Sequence, residues 1–299
     1  MHANDRSCMT EFVEIARPKV NLTLGILGRR SDGYHALASV VAFADGPADR
    51  ITLDLARPRG VSASGPFAAG IAGVNLLQTV LDLIAAAPEA DGVRLGHVQL
   101  EKNLPVAAGI GGGSADAGAL LRAIRTANPQ LARAIDWQGV ALRLGADVPV
   151  CLFDRPAFMT GIGERLAPVE QLPRLDVVLV NPMVAVPSDK TAQVFRALAA
   201  PPLSPTCDDP GVTAIGSRDA LVAMIDGGND LERAACGVVP ALDGVLRRLR
   251  AVAGCRVAAM SGAGPTCFGV FDDAGAARAA AAHLAAEHPN WWSVPAVLN

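Results

Sequence analysis

The stretch most able to do chemistry is Gly109-Ile-Gly-Gly-Gly-Ser-Ala-Asp at 109–116, four glycines and a hydroxyl ahead of Leu120, Leu121 and Ile124. Without Cβ atoms the backbone can come close to a ligand, and the unpaired N–H groups at a helix start favour phosphate oxygens. That pattern points to an anion site, and a tight turn between packed elements is the plainer reading of the same spelling. Two familiar phosphate loops are excluded. Gly113 is followed by Ser114 and Ala115 without the lysine of G-x-x-x-x-G-K-[ST], and the later region holds Arg125, Asn128 and Gln130 instead of a dinucleotide-type acid.

A triphosphate site built on this loop needs positive charge from elsewhere. Lys19, in Ala16-Arg-Pro-Lys-Val-Asn-Leu-Thr-Leu at the head of a strand, is either that cation or a solvated surface lysine. Asp147, in Leu144-Gly-Ala-Asp-Val-Pro, fits both an Asx-turn and a catalytic carboxylate. Asp116 fits an ordinary acid in the first turn of a helix and is not assigned to catalysis. A second small-residue loop, Ser261-Gly-Ala-Gly-Pro-Thr, could approach a substrate or its phosphates. Tyr34, the one tyrosine of the chain, and His35 follow the turn residue Gly33; they fit either core packing or recognition of a base.

These residues lie in a chain of 299, 51% hydrophobic and 18% charged, enough for a large core in one large or two modest domains. A net charge of −3 offers no bulk positive field for nucleic acid. Apolar runs are interrupted well before the roughly 20 residues that a membrane-spanning helix needs. Residues 1–10 carry no apolar stretch of a secretory signal, so a cytoplasmic location is expected. The six cysteines, at 8, 151, 207, 236, 255 and 267, lack C-x-x-C spacing and read mostly as small buried hydrophobes; the five histidines lack H-E-x-x-H. A divalent ion is therefore expected on oxygens and on a substrate's own phosphates.

The elements that must position these groups read as strands over 12–16, 20–27, 37–43, 50–55, 93–101, 150–153, 176–181, 256–260 and 267–271. Helices are expected over 75–84, from the glycine loop to Pro129, over 137–144, near 229–232, over 242–249 and over 276–287. Segment 201–210 reads as a proline-rich surface loop, and a domain change falls between 153 and 176. Strands mixed with helices, but not in strict βαβα order, favour an α+β architecture.

Taken in order, Pro18-Lys-Val-Asn-Leu-Thr-Leu, Asp32-Gly-Tyr-His, the 105–116 loop, Leu144-Gly-Ala-Asp-Val-Pro and Ser261-Gly-Ala-Gly-Pro-Thr resemble the galactokinase, homoserine kinase, mevalonate kinase and phosphomevalonate kinase superfamily, from about Ala16 to Phe271. Within it, with Asp32-Gly-Tyr-His, the chain resembles a branch whose alcohol substrate carries a cytidylyl group. The resemblance implies an α+β kinase fold, with an N-terminal domain (10–165) like the second domain of ribosomal protein S5 and a ferredoxin-like C-terminal domain (166–299). It implies ATP- and Mg²⁺-dependent phosphorylation of the 2-hydroxyl of that alcohol, a step of non-mevalonate isoprenoid biosynthesis.

By the same resemblance Lys19 and Asp147 are the catalytic pair. Pro105, Val106, Ala107, Ala108, Gly109, Ile110, Gly111, Gly112, Gly113, Ser114 and Ala115 form the ATP phosphate loop, with Asn75 at the nucleotide wall and Ser114 as a metal or phosphate contact. Asn21, Tyr34, His35, Asp147, Gly262 and Gly264 face the substrate. Ser188 and Met260 stand where threonine is frequent in the superfamily, and the first keeps a hydroxyl. The implied partner is a small cytidylyl molecule, with no nucleic acid or membrane, and the protein is expected as a monomer or homodimer. Two readings compete: the same kinase class acting on another small alcohol, and a nucleotide-binding module without turnover.

Overall fold

The structure, a computed structural model, describes residues 9–71, 75–204 and 215–299. Its strands are β1 (Glu11–Ala16), β2 (Lys19–Asn21), β3 (Gly25–Arg29), β4 (His35–Asp45), β5 (Asp49–Asp54), β6 (Gly60–Ser64), β7 (His97–Glu101), β8 (Ala157–Gly161), β9 (Arg165–Pro168), β10 (Leu175–Asn181), β11 (Cys255–Met260), β12 (Cys267–Phe271) and β13 (Trp292–Leu298). The helices are α1 (Leu76–Ala85), α2 (Gly112–Ala127), α3 (Trp137–Leu144), α4 (Val148–Phe153), α5 (Lys190–Leu198), α6 (Arg218–Asp226), α7 (Glu232–Val238), α8 (Ala241–Ala251) and α9 (Ala274–Glu287).

Two compact units interleave along the chain. The first comprises the described residues up to Ala16, then Ala48–Val106 and Gly113–Phe153; the second comprises Arg17–Pro47, Ala107–Gly112 and Asp154–Asn299. The first unit has a four-stranded sheet in the order β1-β5-β7-β6, antiparallel except for the parallel β6–β7 pair. Its helix α1 buries Leu77, Val80, Leu81 and Ile84, a stripe at i, i+3, i+4 and i+7. Asn75 caps that helix, its side chain accepting from the N–H of Leu77 at 3.0 Å.

The second unit holds a nine-stranded sheet in the order β11-β12-β10-β13-β4-β8-β9, with β2 and β3 both paired to β4. Strand β10 is buried on both faces. Val178 and Val180 pack in a cluster with α7, α8 and α9, while Leu175, Val177 and Leu179 pack in another with Leu221 and Ile225 of α6. This burial explains the apolar run Val177–Val180 within β10.

Several expected elements differ. The 150–153 segment, read as a strand from its β-branched residues, is part of helix α4. Its backbone lies so close to α2 that a Cβ on Gly118 would come 2.6 Å from the carbonyl carbon of Cys151, and Pro149 sits in its first turn, where no N–H is needed. Segment 20–27 is split at 22–24: the N–H groups of Leu22 and Thr23 both donate to the one carbonyl of Val40 in β4, and Leu24 bonds elsewhere, its N–H donating to Gly228 and its carbonyl accepting from Asp230. Strand β13 escapes a reading by propensity because Pro295 interrupts it. It pairs with β4 only at Val297 and Leu298, so Pro295 stands where that side is an edge.

The 153–176 connector contains the β8–β9 hairpin. Of the 201–210 loop, residues 205–210 lie outside the described residues, as do 1–8, 72–74 and 211–214, and with them Cys8 and Cys207. Cys151 and Cys267 are buried and Cys236 and Cys255 half-buried, and none of the four is in a disulfide. No helix among the described residues is long and apolar enough to cross a membrane.

Candidate active site

In the second unit the loop spelled by the sequence at 107–112 is bonded to two other segments. The N–H of Lys19 donates to the carbonyl of Ile110 at 2.9 Å, and the N–H of Thr266 donates to Ala108 at 2.9 Å. The Ser261 hydroxyl accepts from the N–H of Asn21 at 3.1 Å and donates to the carbonyl of Gly109 at 3.2 Å. Thus the β2 start, the glycine loop and the 261–266 loop are joined through backbone groups. Gly109 takes φ +78° and Gly111 φ +64°, a region that side chains rarely adopt. A Cβ on Gly109 would overlap the carbonyl oxygen of Gly264, so packing demands glycine there as much as conformation does.

Lys19 is buried at 3% exposure, which removes the surface-lysine reading. Its ammonium donates to Asn21 Oδ1 at 2.9 Å, and Asn21 Nδ2 donates to Ser39 Oγ at 2.8 Å. The second loop is held as firmly. Asn229 Nδ2 donates to the carbonyls of Met260 and Gly262, both at 2.8 Å, Asn181 donates to Thr266 Oγ1 at 3.0 Å, and the buried Lys190 donates to the carbonyl of Gly264. Gly262 (φ +56°) and Gly264 (φ +69°) both need glycine's freedom. Asn229 and Lys190 were not singled out in the sequence; Asn229 was legible as a cap-type residue in Asn229-Asp-Leu-Glu, whereas nothing in the spelling marks Lys190.

Tyr34 and His35 lie at the turn from β3 into β4. Asp32 pairs with Arg30 at 2.8 Å and accepts from the N–H of Tyr34 at 3.1 Å, which fixes the turn. Tyr34 is 59% exposed, so it is not core. His35 stacks on Phe195 of α5 with ring centroids 4.7 Å apart and an interplanar angle of 29°. Burial, followed by the nearby Arg29 charge, lowers the His35 pKa and favours the neutral ring. Phe195 is an aromatic surface that the sequence reading passed over.

The first unit carries the remaining candidates. Pro105 is buried and Val106 exposed, while Gly113, Ser114 and Ala115 form the first turn of α2. A Cβ on Gly113 meets nothing within 4 Å. Asp147 is half-buried and precedes α4, so it lies between two helices and not at the helix-to-strand turn expected; its carbonyl accepts from Cys151 at 3.3 Å. Asn75 acts as the α1 cap described above, a role that needs no ligand.

Asp116 is more than a first-turn acid. Lys102 reaches it and Asp49 at 2.6 Å each, with all three side chains at most 5% exposed. Asp49 also accepts from the N–H groups of Asn103 and Leu104, at 2.6 and 2.8 Å, just ahead of the glycine loop. Burial pushes the Asp116 carboxyl up to about 8, against the pull of Lys102 and with the push of Asp49. The cluster ties the strand before the loop to the helix after it.

The model for the N-terminal domain of GHMP kinases matches residues 75–159 and that for the GHMP kinase C-terminal region matches 226–290. This α+β chain, with its N- and C-terminal parts, is a GHMP kinase. A 4-diphosphocytidyl-2-C-methyl-D-erythritol kinase of Parvibaculum lavamentivorans is 46% identical over 284 residues, covering 93% of this chain and 95% of that protein. A crystal structure of a 4-(cytidine 5'-diphospho)-2C-methyl-D-erythritol kinase superimposes with a TM-score of 0.73 at 33% identity, covering 96% of this chain and 99% of that one. The homoserine kinase of Cytophaga hutchinsonii shares the fold at 17% identity, with a TM-score of 0.69 over 100% of this chain and 97% of that one. The chain belongs to the 4-diphosphocytidyl-2-C-methyl-D-erythritol kinase family.

Proposed function

We propose that the protein transfers the γ-phosphoryl group of ATP to the 2-hydroxyl of 4-diphosphocytidyl-2-C-methyl-D-erythritol, giving the 2-phosphate and ADP in non-mevalonate isoprenoid precursor biosynthesis. The observation that carries this reading is the bonding of Lys19, the 107–112 glycine loop and the 261–266 glycine loop into one buried network. It is supported by the full-length match to kinases of that name.

In this reading residues 105–115 take the ATP phosphates. The open space at the Cα of Gly113 fits a cradle that a methyl group would fill. Asp147 orients the acceptor hydroxyl and takes its proton, and Lys19 stabilises the charge that develops on the transferred group. Asn75 lines the nucleotide side. Asn21, Gly262 and Gly264 line the acceptor side, and the exposed Tyr34 ring with neutral His35 recognises the cytosine by stacking and hydrogen bonding.

No group of three or more His, Cys, Asp or Glu suited to a metal occurs among the described residues. The Ser114 hydroxyl, half-buried in the first turn of α2, would hold Mg²⁺ together with phosphate oxygens, and the ion would supply charge neutralisation there. The two family models fall on either side of residue 165, which supports 10–165 as the phosphate-loop domain, like the second domain of ribosomal protein S5. Residues 166–299 are then the ferredoxin-like substrate-side domain. We further assign a cytoplasmic location and a monomer or homodimer that needs no membrane or nucleic acid.

The test is ADP release and phosphorylated product from the purified protein with Mg-ATP and the cytidylyl alcohol, with mevalonate and homoserine in parallel. Product from the cytidylyl alcohol alone is expected. Turnover of another alcohol instead would overturn the reading of Tyr34 and His35, and silence with all three would overturn the activity.

A further inference from the structure

Lys190 opens α5 at 5% exposure, yet among the described residues its ammonium meets a carbonyl, that of Gly264, and no carboxylate. The neighbouring acids are engaged elsewhere. Asp189 on its own helix start pairs with Arg196 and Gln193, Glu232 of α7, which packs on α5, pairs with Arg250, and Asp243 of α8 pairs with Arg247. Arg233 of α7 is exposed, and segments 107–112 and 261–266 contain no charged residue. Burial, with no charged neighbour contributing, pushes the Lys190 pKa down to about 8.

A buried cation without a counter-charge destabilises a fold, so its position calls for a compensating role. The carbonyl that Lys190 holds lies against the Cα of Gly109, and Ala108 and Gly109 are themselves bonded to Thr266 and Ser261. The ammonium thus stands one backbone carbonyl behind the glycine loop. We infer that Lys190 is a positioning residue for the nucleotide phosphates, supplying through Gly264 the uncompensated positive charge behind Gly109. This rests on the kinase reading of the glycine loops.

A polyphosphate anion arriving there stabilises the protonated amine, so binding takes up a proton wherever the free protein has lost it. The phosphate's own second ionisation, near 6, is complete well below that range. Calorimetric titration with Mg-ADP in two buffers of different ionisation enthalpy counts that proton. The wild-type protein is expected to take up a substantial fraction of a proton at about pH 8.5 and almost none at about pH 7. Lys190→Met and Lys190→Gln, neutral and of similar length, are each expected to bind Mg-ADP about tenfold more weakly at pH 7 and to take up no proton at pH 8.5. Binding by a folded variant within twofold of wild type, or the same proton uptake in that variant, would overturn the inference. So would Mg-ADP binding by wild type without proton uptake at pH 8.5, a result that needs no variant. Failure of the wild-type protein to bind Mg-ADP at all would overturn the kinase reading itself.

Discussion

Gly113 separates what the fold requires from what a ligand requires. It lies exposed in the first turn of α2, its φ is not in the left-handed region, and a Cβ there meets nothing within 4 Å. Gly113→Ala therefore removes no contact and reduces the freedom of the unfolded chain, which stabilises the protein by about 0.5–1 kcal/mol. If phosphate oxygens approach this backbone at hydrogen-bond distance, about 2.9 Å from an N–H, the new methyl group stands in their way. Displacing one charge-assisted bond, worth about 1.5–3 kcal/mol, raises KM for ATP about ten- to hundredfold. Urea unfolding reads the first effect through a higher midpoint, and initial rates against ATP read the second. A variant whose stability rises while its KM for ATP stays within twofold of wild type would refute the assignment of this turn to phosphate.

Gly109→Ala should behave oppositely: a left-handed φ costs about 1–2 kcal/mol, and overlap with Gly264 strains two bonds of about 1 kcal/mol each, so unfolding should show a loss of about 3 kcal/mol or more. The control Gly92→Ala, with φ +72° and open space, should lose only the first amount. Asp147→Asn, in a variant shown to be folded, should lose about 10²–10⁴-fold in kcat; near-normal turnover would remove Asp147 from the chemistry. Tyr34→Ala, on an exposed side chain, should leave stability within about 0.5 kcal/mol while raising KM for the cytidylyl alcohol about tenfold. For Lys190 the folded state binds fewer protons than the unfolded one between about 8 and the ordinary lysine value, so stability rises with pH across that window. Urea titrations from pH 7 to 10 should show wild type gaining roughly 2.5 kcal/mol relative to Lys190→Met, and parallel pH profiles would contradict the burial of a charged amine.

Most of the elements around the glycine loops were legible because their signals are local. Alternation marks β5, the i, i+3, i+4, i+7 stripe marks α1, and the glycines announce the start of α2. Where the reading failed, tertiary contact outweighs local preference: Val148 and Val150 suit a strand, but the close approach of α4 to Gly118 holds them in a helix. The candidate site divides in the same way. Lys19 and the glycines are conspicuous by type and spacing, whereas Lys190, Lys102 and Asn229 act through carbonyls and carboxylates far away in the chain, which no window of sequence brings together.

The pairing of β13 carries a consequence for how the chain is made. Among the described residues of the second unit's sheet the block β11-β12-β10 and the block β4-β8-β9 have no ladder with each other; β13 joins them, pairing with β10 along seven residues and with β4 at two. During synthesis both blocks can form their hairpins early, but the sheet stays in two pieces until residues 292–298 have left the ribosome. Until then Leu175–Asn181 presents an apolar strand with one unpaired edge, the kind of surface that chaperones and aggregation compete for. A stop or frameshift that removes only the final strand would therefore leave every glycine-loop residue in place and still yield a nascent chain prone to aggregation.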